Sequence, residues 1–176
     1  MKISPTAIAG AKLVELERHE DERGFFARSY CAREFEAAGL AACAAQCNVS
    51  FNRSRGTLRG MHFQRAPHAE AKLVRCTRGS IYDVIVDLRK DSPSYLKWFA
   101  ATLGAENHRA LFIPEGVAHG FQTLEDSAEV FYQMSAFYHP DAAAGVRWND
   151  PAFRIEWPID RPIVSARDAG YPDFKA

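Results

Sequence analysis

The sequence predicts an all-β fold of short antiparallel strands, closed into a sandwich or a barrel, with only a few short helices. Three observations predict it. Apolar and polar residues alternate with period two over several stretches, turn-forming residues interrupt those stretches at short and roughly even intervals, and a helical period is nearly absent. In chain order, Arg33–Ala38 reads as a short helix with Phe35 and Ala38 on one side. Lys72, Val74 and Cys76 share one strand face, with Arg75 on the other. Across Ser80–Arg89, Tyr82, Val84, Val86 and Leu88 share a side and Asp83 and Asp87 take the opposite one. Gly104–His108 has room for a single helical turn. Across Ala128–Phe137, the set Ala128, Val130, Tyr132, Met134 and Ala136 alternates with Glu129, Gln133 and Ser135. Between these runs stand the turn formers Arg78-Gly79, Asp91-Ser92-Pro93, Pro114-Glu115-Gly116 and His139-Pro140-Asp141.

A closed barrel leaves a lumen lined by alternate residues. The alternation sets Lys72 and Tyr132 on faces that are otherwise apolar, where polar residues of a lumen would stand. The other reading is a lysine snorkelling at a sheet edge and a tyrosine packed in the core with its hydroxyl reaching solvent.

At 176 residues, with 47% hydrophobic and 25% charged side chains, the chain suits a single domain spanning 1–176. Its 22 basic and 22 acidic residues cancel, so general attraction to nucleic acid or to a membrane surface is not expected. No apolar run reaches the ~18 residues of a membrane helix, and the N-terminal stretch has no secretory pattern. A cytoplasmic protein is expected, with Cys31, Cys43, Cys47 and Cys76 reduced. Cys43 and Cys47 are spaced to begin a zinc site, but no second pair follows.

Of six histidines, two stand in glycine-bounded segments: His62 within Gly56–Gln64 and His119 within Ile113–Gly120. Glycines there let backbone approach a ligand closely. A barrel metal site commonly uses a His-x-His pair. The positions two before and two after His62 are Gly60 and Gln64, and His68 follows across Ala66-Pro67, so no metal is expected. Nucleophile-elbow, phosphate-loop and dinucleotide fingerprints are absent. Acid–base chemistry remains, with His, Lys, Tyr and Asp all available.

The segments Gly56–Gln64 and Ile113–Gly120 resemble those of the dTDP-4-dehydrorhamnose 3,5-epimerase family. The resemblance continues through Asp21–Phe26, Lys72–Gly79, Asp83–Arg89, Ser92-Pro93, Trp148–Pro151, Ile155–Pro158 and Ser165–Asp168, in order over nearly the whole chain. It implies a metal-free, cofactor-free jelly-roll barrel of the cupin type, a homodimer that exchanges N-terminal strands, and a dTDP-linked 4-keto-6-deoxyhexose as substrate. By match, His62 is the base, Asp168 its partner, Tyr132 the acid on the other ring face and Lys72 the cation near the C4 oxygen. Arg59 and His119 match sugar or diphosphate contacts. Arg23, Phe26, Gln46 and Asn48 match nucleotide contacts, with Arg23 and Phe26 reaching in from a partner chain, and Arg167 joins the substrate-binding set.

The chemistry agrees. A proton next to a ketone is acidic because its loss gives an enolate, and imidazole is suited to removing it near neutral pH. A carboxylate fixes the imidazole tautomer, a cation stabilises the oxyanion, and guanidinium groups pair with diphosphate oxygens. The parity of Tyr132 and Lys72 is independent of the resemblance. Arg59 and His62 have opposite parity, so both line a pocket only if Gly60 bends the strand. The alternatives are a single-centre epimerase or keto-isomerase on a related nucleotide sugar, a non-catalytic sugar-nucleotide-binding barrel, and a metal-dependent oxygenase of the same fold.

Overall fold

The computed structural model describes residues 1–41 and 45–175, which leaves Cys43 outside the described residues. In chain order the elements are β1 (Lys2–Pro5), β2 (Lys12–Glu15), β3 (His19–Asp21), β4 (Gly24–Phe26), α1 (Ala32–Ala37), β5 (Gln46–Asn52), β6 (Thr57–Gln64) and β7 (Lys72–Arg78). There follow β8 (Ser80–Asp87), β9 (Trp98–Gly104), β10 (Ala110–Ile113), β11 (Val117–Thr123), β12 (Ala128–Met134), β13 (Ala143–Gly145), β14 (Ile163–Val164) and α2 (Ala166–Ala169). One sheet runs β1-β2-β10-β7-β12-β5 and a second runs β13-β6-β11-β8-β9, while β3 and β4 form a separate hairpin. Every pairing among these strands is antiparallel except that of β14 along β6.

The two sheets face each other across one core. From the first come Leu111, Ile113, Val74, Cys76, Ala128 and Val130, and from the second Ile81, Ile85, Leu103, Val117 and Phe121. Period-two alternation sends the intervening residues outward, and both outer faces are covered in turn. Val14, Leu73, Ala110 and Phe112 pack under Phe35 and Leu40, beside and within α1. Met61, Val84, Val86 and Ala118 pack under Val146 and Phe153, with Trp157 and Phe174 against them. A six-residue helix is not stable alone; fully buried Phe35 anchors this one, and its loss to alanine would cost about 3–5 kcal/mol.

The short-helix expectation holds for α1, which starts one residue earlier than Arg33. Gly104–His108 makes a single turn, closed by the His108 N–H donating to the Gly104 carbonyl at 3.0 Å, and His108 at φ +53° ends it. Helix α2 was not foreseen. Its signal is Ser165, whose side chain accepts from the Asp168 N–H at 3.1 Å, the Ser-x-x-acid spacing of a capped helix start. No described helix is long and apolar enough to cross a membrane.

Candidate active site

Strands β6 and β11 build one wall of the site through a bulge. His62 stands opposite His119, and Arg59 opposite Phe121, so two residues of β6, Gly60 and Met61, lie against one of β11, Gly120. Gly60, at φ +119°, makes this possible: a Cβ there would lie 2.5 Å from Gly120 Cα and 2.7 Å from the His119 oxygen. Gly120 is closed from its own side, because its Cβ would meet the Arg59 oxygen at 2.7 Å. The bend that Arg59 and His62 required is therefore present. Both line the cavity, while Met61 between them turns outward into the cluster beneath the C-terminal segment.

The cavity has a volume of about 320 Å³, at the lower end of the about 300–1,000 Å³ usual for small-molecule sites. Among its lining residues are Asn48, Ser50, Arg59, His62, Lys72, His119, Tyr132 and Asp168. One histidine–carboxylate pair lies there, and a second reaches the cavity through its histidine alone. His62 Nε2 is 2.8 Å from Asp168 Oδ1, and the other carboxylate oxygen accepts from the Gly60 N–H at 3.2 Å. Burial pushes the Asp168 carboxyl up, but the His62 hydrogen bond and charge, with the Gly60 N–H and Ser165, hold it below its ordinary value. An ionised carboxylate only accepts, so Nε2 carries the hydrogen and Nδ1 keeps its lone pair.

His119 Nε2 is 2.7 Å from Asp83 Oδ1, and both side chains are almost wholly buried. Here burial prevails: it raises the Asp83 carboxyl above its ordinary value against the pull of His119 and Lys72. Asp83 was expected opposite the apolar side of β8. It faces the core with Ile81 and Ile85, because the C-terminal segment claims the Tyr82–Val84–Val86 face.

Lys72 begins β7 and Tyr132 lies on β12, both in the sheet opposite β6. The parity reading holds for both, since each side chain lines the cavity. The Lys72 ammonium pairs with Glu70 at 3.1 Å and donates to the His62 carbonyl at 3.4 Å. Burial, then the nearby Asp83 charge, raises the Tyr132 phenol far above its ordinary value, despite Arg59 and a hydrogen bond with Ser50. The phenol therefore stays protonated. His62 and Tyr132 approach the cavity from opposite sheets. Among the described residues, no group of three or more His, Cys, Asp or Glu side chains is placed to hold a metal ion.

A family model described as dTDP-4-dehydrorhamnose 3,5-epimerase matches residues 5–176. The chain belongs to the dTDP-4-dehydrorhamnose 3,5-epimerase family. Its members are nucleotide-sugar epimerases, and the two facing sheets are the family's cupin-like jelly roll. The dTDP-4-dehydrorhamnose 3,5-epimerase of Salmonella typhimurium is 44% identical over 174 residues, covering 98% of this chain and 94% of its own. The crystal structure of the Elizabethkingia anophelis enzyme of that name superposes with a TM-score of 0.96 at 38% identity, covering 99% of this chain and 96% of the other. That of the Bacillus anthracis enzyme, with TDP and PPi bound, gives 0.94 at 44% identity, covering 98% and 99%.

Six of the eleven family-matched residues line the cavity together with Asp168: His62, Lys72, Tyr132, Arg59, His119 and Asn48. The other four do not. Gln46 stands just outside, 3.5 Å from Asn48 Oδ1 and accepting from the Tyr138 N–H at 2.8 Å. Arg167 is exposed and follows Ala166 at the start of α2, next to Asp168. Arg23 pairs with Asp21, and Phe26 is 77% exposed, both on the β3–β4 hairpin. Sequence reasoning missed Asp83, Glu70 and Asn52. Buried Asn52 accepts from Arg59 Nε at 2.7 Å and so aims that guanidinium; a polar residue at the end of an alternating strand was its only signal.

Proposed function

We propose that residues 1–176 form a single-domain epimerase that converts dTDP-4-dehydro-6-deoxy-D-glucose to dTDP-4-dehydro-L-rhamnose, with neither metal nor cofactor. One observation carries the mechanism. A histidine whose Nε2 is tied to an ionised carboxylate faces, from the opposite sheet, a lysine ammonium and a protonated phenol. His62 Nδ1 takes the proton from C3, and the electron pair moves onto the C4 oxygen beside Lys72. Tyr132 then returns a proton to C3 from the opposite ring face. Each inversion leaves an imidazolium and a phenolate, which solvent resets before the cycle repeats at C5. Asp168 holds the tautomer and stabilises the imidazolium, and the raised phenol pKa keeps the acid loaded.

Arg59 and His119 take the sugar–diphosphate end, with Asn48, Gln46 and Arg167 toward the nucleotide. Arg23 and Phe26 serve the site of a second copy, in a homodimer with exchanged N-terminal strands. Three features support the dimer: the exposed aromatic residues of the β3–β4 hairpin, the free edge of β5, and the exposed Val49 and Phe51 on that edge strand. The setting is cytoplasmic, in keeping with free thiols at Cys31, Cys47 and Cys76.

The test is turnover of dTDP-4-dehydro-6-deoxy-D-glucose in heavy water, with C3 and C5 read by NMR. Deuterium at both carbons and the L-lyxo product support the double epimerase; label at one carbon makes it a single-centre enzyme. No label rejects the substrate. Tyr132→Phe should keep some exchange and lose most inversion. For the dimer, light scattering should give twice the 19.7 kDa of one chain. Mixing His62→Ala with Arg23→Ala chains should restore about a quarter of wild-type activity, since half the dimers are mixed and each holds one intact site.

A further inference from the structure

Lys72 does not reach the cavity alone. Glu70 lies just before β7, and its carboxyl group is as buried as the ammonium, at 6% and 8% side-chain exposure. Glu70 Oε1 is 3.1 Å from Lys72 Nζ, and Oε2 accepts from Gln64 Nε2 at 3.1 Å. Gln64 is fixed in turn. Its two amide N–H groups are shared between Glu70 and the carbonyls of His68 at 2.9 Å and Phe137 at 3.2 Å, while its oxygen accepts from the His139 N–H at 2.7 Å. A carboxylate is costly to bury, and a residue that only filled this space would be apolar.

We propose that Glu70 is a positioning residue for the epimerisation, fixing the Lys72 ammonium against the wall that carries the base. The proposal rests on the function given above. An ammonium has three N–H donors. Glu70 takes one and the His62 carbonyl a second, which leaves one for the C4 oxygen. Because the second acceptor is the backbone of the base itself, the same contacts set the spacing between base and cation. A cation held in place before charge develops acts on the transition state, so its loss lowers kcat more than it raises KM.

Glu70→Gln keeps the shape of the side chain and removes its charge. We expect kcat to fall about 30- to 100-fold, with KM and the Kd for dTDP changed less than about threefold. Glu70→Asp keeps the charge but withdraws it by one methylene, and should recover part of the loss; it carries the test if Glu70→Gln does not fold. Lys72→Ala should lose at least as much as Glu70→Gln, and combining the two should cost less than about threefold more, because both act through one ammonium. The proposal is overturned if Glu70→Gln, or Glu70→Asp in its place, keeps kcat within about twofold, if the two losses multiply, or if dTDP binding collapses along with kcat. Wild-type protein that fails to turn over the ketosugar removes the function and this role together. An active wild type beside an indifferent Glu70 variant removes only the role.

Discussion

Two histidine–aspartate pairs, one lining the cavity and one behind its wall, have nearly the same geometry and different electrostatics. His62–Asp168 and His119–Asp83 close at 2.8 and 2.7 Å, each through Nε2. His62 is 38% exposed and Asp168 also accepts the Gly60 N–H, and with Ser165 nearby its carboxyl group titrates below its ordinary range. Asp83 is fully buried, with one oxygen on His119 and no second donor among the described residues, and its carboxyl group titrates above that range. Hydrogen-bond length does not distinguish the pairs; burial and the number of donors do. The first pair leaves a lone pair facing the cavity, whereas the second is a polar post inside the core.

Four variants test this contrast, in decreasing order of expected effect. His62→Ala should lower exchange at both C3 and C5 by at least about 10³-fold; near-normal deuterium uptake in that variant would remove the base assignment. Asp168→Asn leaves the imidazole without a charged partner and with its tautomer free, and should lower kcat about 10²-fold. It should also destabilise the fold near pH 7. A carboxyl group whose folded pKa lies below its unfolded one adds stability above the unfolded value, which is lost as pH falls through the folded one.

The sign reverses for Asp83. Its folded pKa is raised, so its charge opposes folding near neutral pH. Asp83→Asn keeps an acceptor for His119 and removes that charge. We expect a melting temperature equal to wild type or higher, with kcat/KM down about tenfold. A lowered melting temperature, or a loss as deep as that of Asp168→Asn, would make the two pairs equivalent. The smallest effect on activity is expected outside the cavity, at Asp87. Although burial pushes that carboxyl group up, Arg89, Ser92 and Ser94 bring it down to about 2. Its stabilisation is present above about pH 4 and fades toward pH 2, and is worth about 1–2 kcal/mol after allowance for screening. Asp87→Asn should lower the melting temperature at pH 7 and flatten its fall between pH 4 and 2, with kcat within about twofold. A catalytic loss there would show that the loop it staples reaches the site.

The legible part of the site was the part governed by backbone period. Lys72 and Tyr132 read as inward from their own strands, and the structure has both lining the cavity. Arg59 and His62 read as a conflict that a bend at Gly60 would resolve, and the bulge resolves it. Asp83 escaped because both faces of β8 are buried, so alternation alone did not say which face was the core. Glu70 escaped because it precedes its strand and belongs to no periodic run. Asp168 was recognised through the resemblance, and the Ser165 cap that starts its helix was there to be read.

Local sequence was enough for the antiparallel class, for placing Lys72 and Tyr132 on otherwise apolar strand faces, and for the family. These depend on period two, on turn residues and on motifs, which are properties of neighbours in the chain. Which aspartate titrates below its ordinary range, which carboxylate pairs with the lysine, and how two residues of β6 fit against one of β11 came only from the packed fold. Those depend on what packs across the gap, because desolvation and close backbone approach are set by residues distant in sequence: Asp168 lies 106 positions from His62 and the Gly60 bulge closes on Gly120.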